Sequence, residues 1–528
     1  MIRITGITVD IDHNEENIKD KIREVLKNRN LKIDKFRISN KAIDARAKLK
    51  VPKYIYTVDI EFDNEDYYVN DNNIKKIIEA EYIIPDLSWY KGKRPIIVGS
   101  GPAGIFAGLI LARANLKPII IERGEKVENR VKDVYNFFET GKLKTESNVQ
   151  FGEGGAGTFS DGKLTTNTHN DRIKVVVDEL IKAGADKEIA YISKPHIGTD
   201  VLVDIVKNIR HTIESLGGEY RFNSQFIDYE TQKNKLKSLK IKQISGNIYQ
   251  IDTNHCILAL GHSARDTFYM LRDKNMTMSK KIFAVGFRIE HKQSFIDKSQ
   301  YRAFRFKLPP AEYKLNVRAN NRGVYTFCMC PGGVVVPSSS EENRLVVNGM
   351  SYNARSLENA NSAVLVNVNP SDLGEDVLSG VEFQREIEEK AFKLGGSNYH
   401  APVQLVTDYI NNRKSTKILD VVPSYSIGYK LANLNEILPE YLNISLREGL
   451  SLLNNKLKGF SENGAILTGV ESRSSSPIRI DRDEQFNSSV VGIIPCGEGA
   501  GYAGGIMSAA VDGIRCAEKI IEMIENEK

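Results

Sequence analysis

A Rossmann-like α/β domain, interrupted by an inserted mixed α+β domain and preceded by a small α+β unit, is the fold class that three features of the 528 residues predict. The first is a strand, PIIV (95–98), that runs into Gly99-Ser100-Gly101-Pro102-Ala103-Gly104, a helix-spaced run and a second strand. The second is a C-terminal strand, glycine-rich turn and amphipathic helix within 489–528. The third is a β-α-β-β-α pattern confined to 1–88. These set the expected domains at 1–88, 89–280, 281–488 for the inserted substrate domain, and 489–528 as the C-terminal part of the nucleotide domain. Average glycine content hides an uneven placement: four glycines fall in 99–108, five in 152–162 and five in 497–505.

In the first unit Ile2–Val9 alternates as a strand does, and Glu15–Asn28 places Ile18, Ile22, Val25 and Leu26 on one helical face. Leu31–Ser39 and Tyr54–Phe62 read as strands, and Asn72–Glu81 as a short helix. Basic residues recur at Lys32, Lys35, Arg37, Lys41, Arg46, Lys48, Lys50 and Lys53, diluted by Asp34, Asp44 and the acidic DNEDYY stretch (63–68). A solvated face on a docking domain is the expectation, with RNA binding the sharper alternative. Ser88–Arg94, with the only Trp, reads as a linker.

At 95–122 each residue type has a physical task. Gly99 permits the tight turn, Gly101 lets backbone approach a pyrophosphate, and Gly104 permits close helix–strand packing. The helix IFAGLILARANL offers free N–H groups and partial positive charge to phosphates. Pro118–Ile121 then forms the second strand, and Glu122, 18 residues past Gly104, is placed for a ribose diol. A carboxylate there suits FAD or NAD rather than NADP. Two other stretches match G-x-G-x-x-G, at 152–157 and 499–504, but neither has the full strand–turn–helix–strand context.

Downstream, Thr199–Asp200 caps an amphipathic helix to Leu216, ended by Gly217–Gly218. Strands are expected at Glu219–Phe222, Leu236–Ile244 and His255–Ala259, and SRSSSP (472–477) as a polar loop. The C-terminal turn favours FAD over NAD. Glu498 follows the strand, where a carboxylate suits the ribityl or pyrophosphate end of a flavin. Gly504-Gly505-Ile506 opens a helix whose N–H groups would stabilise negative charge on a reduced flavin. A docking helix alone has no need of five glycines in nine residues.

The pairing of PIIVGSGPAG…IIIERG with GEGAGYAGGI resembles flavoproteins of the glutathione-reductase-type FAD fold. FGEGGAGTFSDGKL (151–164), LALGHSARDTFYML (258–271), FCMCPGGVVVPSSSE (327–341) and a KAIDARAK-like stretch sharpen the likeness. Over nearly the whole chain it is similar to the bacterial family of uncharacterised FAD-dependent dehydrogenases. That resemblance implies FAD contacts at Gly99, Gly101, Gly104, Glu122, Arg123, Gly152, Gly154, Gly155, Gly261, Glu498, Gly505 and Ile506. Ala103, Gly497 and Gly504 complete the candidate cofactor set, and Phe226 sits where such folds reach the adenine by backbone. Leu260 stands where relatives of the fold often carry Thr.

The reaction is read mainly by exclusion. No Cys precedes Cys256, so a redox pair just after the first glycine turn is absent. No second complete nucleotide unit is evident, so NAD(P)H is a candidate transient electron donor, or electrons leave to a protein partner. The catalytic candidates are Cys330, His262 and Arg265. Cys328-x-Cys330 is the most redox-like feature, but in an extended strand the Cα atoms stand about 7 Å apart, awkward for a disulfide. The sharp reading puts Cys330 near the flavin; the bland one makes both cysteines core residues before a Pro-Gly-Gly turn. His262–Asp266 is either a proton donor with an anion clamp or a helix cap. Arg288 and Arg355 are read as salt-bridge residues first and substrate clamps second. No zinc ligand spacing occurs, so no metal is expected.

A net charge of +5 is too thin for a polyanion binder by composition, so nucleic acid is not an expected partner. Five cysteines do not make a disulfide scaffold. No apolar run reaches the roughly 18 residues of a membrane helix, and no signal-type apolar region opens the chain, so the expected setting is cytoplasmic. Together these readings favour an FAD-dependent oxidoreductase that passes hydride between flavin N5 and a small organic substrate. An electron-transfer flavoprotein and an RNA-associated flavoprotein are the alternatives.

Overall fold

In the computed structural model, residues 1–46, 48–61, 72–78, 81–166, 169–462 and 464–527 are described. Ile2–Asp10, Arg37–Asp44, Lys53–Ile60 and Ile74–Lys76 form an antiparallel sheet covered by the helix Glu15–Val25. Asn14 caps that helix by accepting the Asn17 N–H, and Ile18 and Ile22 face the sheet. The second strand starts at Arg37, not Leu31, because a charge pair sets its register. Buried Asp59 takes Arg37 from one flanking strand at 2.8 Å and Arg3 from the other at 2.7 Å. The expected helix at 72–81 is instead the strand Ile74–Lys76, which fills the open edge beside Ile2–Ile4. So short an apolar segment gains more from a ladder than from an isolated turn of helix. Glu79 and Ala80, like Phe62 and the DNEDYY stretch, lie outside the described residues. Of the basic residues, Lys32, Arg37, Arg46 and Lys53 each pair with a carboxylate.

Five parallel strands make the central sheet, in the order Glu219–Arg221, Ile119–Ile121, Ile96–Val98, Cys256–Leu258, Ile493–Pro495. Numbered along the chain this is 3-2-1-4-5, the doubly wound order. The strands other than the edge strand Glu219–Arg221 are apolar because both their faces are covered. Ile97, Ile120, Ile257 and Ile494 point to the helices Pro102–Arg113, Thr199–Ser215 and Ile506–Glu525. Ile96, Val98, Ile119, Ile121, Leu258 and Ile493 point the other way. There they meet the helix Arg265–Asp273 and a meander of Ser224–Gln232, Lys235–Gln243 and Ile248–Asp252. The expected cap pair at 199–200 serves otherwise: the cap position is Gly198, and Thr199 Oγ1 donates to the Thr158 carbonyl.

The inserted segment carries a seven-stranded sheet. Its order is Asn316–Ala319, Arg322–Cys330, Asn359–Val368, Phe283–Lys292, Ile466–Glu471, Ala401–Leu405, Tyr429–Leu431. Its two connections to the parallel sheet pair with each other, Met278–Lys280 against Ile478–Ile480. The SRSSSP loop is polar but not solvated: Ser472 and Ser476 are buried, and Arg473 is 8% exposed. Among the described residues no helix is long and apolar enough to cross a membrane.

The parallel sheet depends on a close crossing between its first and last helices. A Cβ at Gly513 would lie 2.1 Å from the Ala103 carbonyl oxygen, which is backbone and has nowhere to move. Gly513→Ala is therefore expected to lower stability by about 1–3 kcal/mol, the usual cost of overpacking. A urea melt indistinguishable from wild type would contradict this crossing.

Candidate functional site

A cavity of about 590 Å³ opens at the carboxyl ends of Ile96–Val98 and Cys256–Leu258. Between these two strands the doubly wound order reverses, and such sheets leave a crevice there. The first glycine turn forms one wall. Gly99 has φ +102°, and a Cβ on it would lie 2.2 Å from the Ala259 carbonyl, so two strand ends meet backbone to backbone. Gly101 precedes the helix Pro102–Arg113, and a Cβ there would touch only the Gly155 Cα, at 3.7 Å.

Glu122 lines the cavity and organises its neighbours. One carboxylate oxygen accepts the Ser100 N–H and hydroxyl, each at 2.9 Å; the other accepts the N–H of Gly124 at 2.9 Å and of Gly152 at 3.0 Å. Arg123 is held by Asp266 at 2.9 Å and stacks over Phe151. The 148–153 loop is stapled from behind by Arg130, which is fully buried and donates to the carbonyls of Asn148, Val149 and Glu153.

The opposite end is built by 259–263 and the C-terminal turn. His262 Nδ1 lies 3.1 Å from Ser263 Oγ, and Nε2 lies 3.7 Å from Glu498. Burial, helped by Arg473 and Arg265, holds the imidazole pKa down to about 3, so the ring is neutral at physiological pH. Burial raises the Glu498 carboxyl to about 7, against the pull of Lys281 and of the Gly505 N–H. Gly504, Gly505 and Ile506 line the same end, at the N-terminus of the last helix.

The inserted sheet supplies the remaining wall: Thr326–Met329, Asn348, Glu471 and Arg473. Glu471 is paired with Arg288, and burial lifts its carboxyl to about 7. Arg288 also donates to Asn348 Oδ1 at 2.7 Å and to the Cys328 carbonyl at 2.7 Å. Lys163 donates to the Met329 carbonyl.

Most of the residues singled out in the sequence meet in this cavity: Gly99, Gly101, Ala103, Glu122, Arg123, Gly152, Gly155, Phe226, Gly261, His262, Glu498, Gly504, Gly505 and Ile506. Five do not. A Cβ at Gly104 would strike the Gly99 carbonyl at 1.9 Å, so this glycine serves packing. Gly154 is turned toward Thr158 and donates its N–H to the Ser100 carbonyl. Gly497 packs on Ala103 and donates to Asp512. Arg265 lies outside the cavity lining, its two terminal nitrogens taken by Glu388, Glu341 and Gln384. Cys330 is buried behind the wall, and it is Cys328 that faces the cavity. The helix after His262 is not capped by Ser263 or Asp266; Ala264 holds the cap position. Arg288 and Arg355 are salt-bridge residues, the latter with Asp161 and Glu312.

Lys163, Asn348, Glu471 and Arg130 carried no local signal, because sheet register and loop packing bring them in. Cys496, Asp512 and Cys516 also come together, but Arg482 already donates to Asp512 at 2.8 Å and lies 3.6 Å from the Cys516 sulfur. A cation already occupies the charge a metal would neutralise there.

Residues 282–474 match the family model "FAD-dependent protein, C-terminal domain-like", and residues 1–61 match a domain of unknown function, DUF8436. A solved structure from Thermoplasma acidophilum, described as geranylgeranyl bacteriochlorophyll reductase-like, is similar at 12% identity over 82% of this chain and 79% of its own, with a TM-score of 0.37. A flavoprotein/dehydrogenase from Cytophaga hutchinsonii aligns over the same shares at 12% identity and a TM-score of 0.36. An uncharacterized protein of Clostridium beijerinckii is 48% identical over 538 aligned positions, spanning 100% of both chains. The chain therefore belongs to the family of that clostridial protein, and its inserted segment is an FAD-dependent protein, C-terminal domain-like unit.

Proposed function

We propose that the chain is an FAD-dependent oxidoreductase acting on a small organic substrate. One observation carries this reading: a strip of backbone without Cβ atoms runs along the cavity from the first glycine turn to the last helix. A Cβ at Gly261, Gly504 or Gly505 would meet nothing within 4 Å, so those positions open into the cavity. At Gly101 only another glycine is near. A flat, extended dinucleotide needs such a strip, because side chains there would block its approach to backbone N–H groups. The volume lies in the range of small-ligand sites, about 300–1,000 Å³.

When bound, FAD supplies reversible two-electron chemistry. The chain's own residues supply the rest. The N-terminus of Pro102–Arg113 faces the cavity and suits a pyrophosphate. Glu122, its oxygens met by Ser100, Gly124 and Gly152, fixes the turns beside it where a ribose would lie. The N-terminus of Ile506–Glu525 suits the ring end, where it would favour negative charge. Glu498, its carboxyl pKa raised by burial, is placed to hold one proton, with the neutral His262 ring 3.7 Å away. The wall of Lys163, Cys328, Asn348 and Glu471 is where a small polar substrate or a nicotinamide would lie.

Gly101→Val fills the strip at its narrowest point. The variant is expected to fold as wild type by circular dichroism and to purify without the visible absorbance of flavin. Flavin content equal to wild type would sink the reading. Glu498 gives a second test with a definite sign. Its folded-state pKa of about 7 lies above the ordinary 4.5. Between these values the folded chain keeps a proton that the unfolded chain has lost, so this group makes stability fall as pH rises through that window. In Glu498→Gln the fall is absent. Relative to wild type the variant is expected to gain on the order of a few kcal/mol between pH 4.5 and 7 and then level off. Urea melts at pH 4.5 and pH 7 read the difference, and a constant offset would refute the raised value.

A further inference from the structure

Cys328 and Cys330 straddle a break in the strand Arg322–Cys330. The ladder to Asn359–Val368 keeps register to Phe327 opposite Ala363 and resumes at Cys330 opposite Asn361, so one extra residue is taken up between them. Cys328 sits in that bulge with φ +44°. A non-glycine residue in this region is strained and persists only where its surroundings hold it. Here two cations do so from the carbonyl side. Arg288, itself locked to Glu471, donates to the Cys328 carbonyl, and Lys163 donates to the Met329 carbonyl.

The bulge, with Cys328 at positive φ, departs from the extended geometry that would hold the two residues apart. Cys330 Sγ folds back to lie 3.4 Å from the Cys328 carbonyl. One thiol faces the cavity and its partner stands directly behind, against Gly349, where a Cβ would come within 2.8 Å of the Cys330 sulfur. We propose that Cys328 and Cys330 form a redox pair that exchanges two electrons with flavin bound in the cavity. This rests on the flavoprotein reading above.

The step balances. The Cys328 thiolate and the Cys330 thiol join in an S–S bond, releasing two electrons and the Cys330 proton. Oxidised flavin accepts all three and becomes the singly protonated reduced form. In reverse, reduced flavin opens the disulfide. The acidities of the two sulfurs suit this division. The neighbouring Cys330 side chain, then the charge of Arg288, pulls the Cys328 thiol down. The Cys328 side chain and burial push Cys330 up. A pair of this kind holds one proton and one thiolate near neutrality.

The test counts electrons. Purified holoprotein is oxidised with diamide, desalted and titrated anaerobically with dithionite while the flavin bands are followed. Wild type is expected to take up four electrons per flavin, and flavin-loaded Cys328→Ser and Cys330→Ser two. Before titration, acid quenching, alkylation and peptide mapping should find the peptide with Cys328 and Cys330 two hydrogens lighter and unalkylated. Uptake of two electrons by flavin-loaded wild type would overturn the exchange and leave the flavoprotein reading standing. A disulfide between Cys496 and Cys516, whose sulfurs lie within 4.8 Å, in place of the mapped pair would overturn the assignment. A preparation without flavin would overturn both readings together, and its diamide-treated peptide map would still report whether the two thiols join.

Discussion

One carboxylate, that of Glu388, joins the two layers that enclose the cavity. It is fully buried and accepts from Arg265, Arg473 and the Ser472 hydroxyl. A charge stripped of water to that extent is tolerated only when every lone pair is met. Burial alone would raise its pKa; the two arginines instead hold the carboxyl well below the usual range. Arg265 begins the helix that covers the parallel sheet, and Glu388 lies on the helix Ser379–Gly395 of the insert. Arg473 belongs to the insert's return loop and reaches Ser263 at 2.9 Å as well as Ser340. The loop around 263, which lines the cavity, and the loop around 340 thus hang from the same ion cluster.

The same device recurs wherever the cavity wall is loop. Arg130 fills the carbonyls of 148, 149 and 153, and Arg288 that of Cys328. An arginine suits this because its planar fork satisfies several acceptors at fixed angles. The wall facing the cavity is left with free volume and backbone N–H groups, while the strain and charge are settled behind it. A site built this way is held in place before any ligand arrives.

What was legible in the sequence follows the range of the forces involved. The strand–turn–helix at 95–113 and the last helix are set by local rules, and they appear where glycine spacing and apolar runs place them. The first helix starts at Pro102 rather than Ile105 because proline fits the first helical position. The parallel sheet's neighbours, and hence the cavity, follow from the same local units. The larger misreadings are long-range. Arg265 looked available because its partner Glu388 lies 123 residues away. SRSSSP reads as a polar loop, yet its Ser472 and Arg473 are buried as partners of a buried charge. Cys330 and Cys328 changed roles because a bulge depends on the pairing of two strands, which no local pattern records.

The N-terminal unit illustrates how a segment that reads as separate becomes part of the site's support. Its strand Arg37–Asp44 is not free at the far edge: the Lys41 N–H donates to the Tyr191 carbonyl, and the Lys41 carbonyl accepts the Ser193 N–H. The next residue, Lys194, lines the cavity and pairs with Glu312, which also holds Lys163 and Arg355. Ile43 and Ala45 pack on the core of the insert. The basic stretch at 31–53 therefore spends part of its length as an adhesive edge, and several of its charges on local carboxylates. A domain tied by backbone to the segment bearing Lys194 braces the cavity wall.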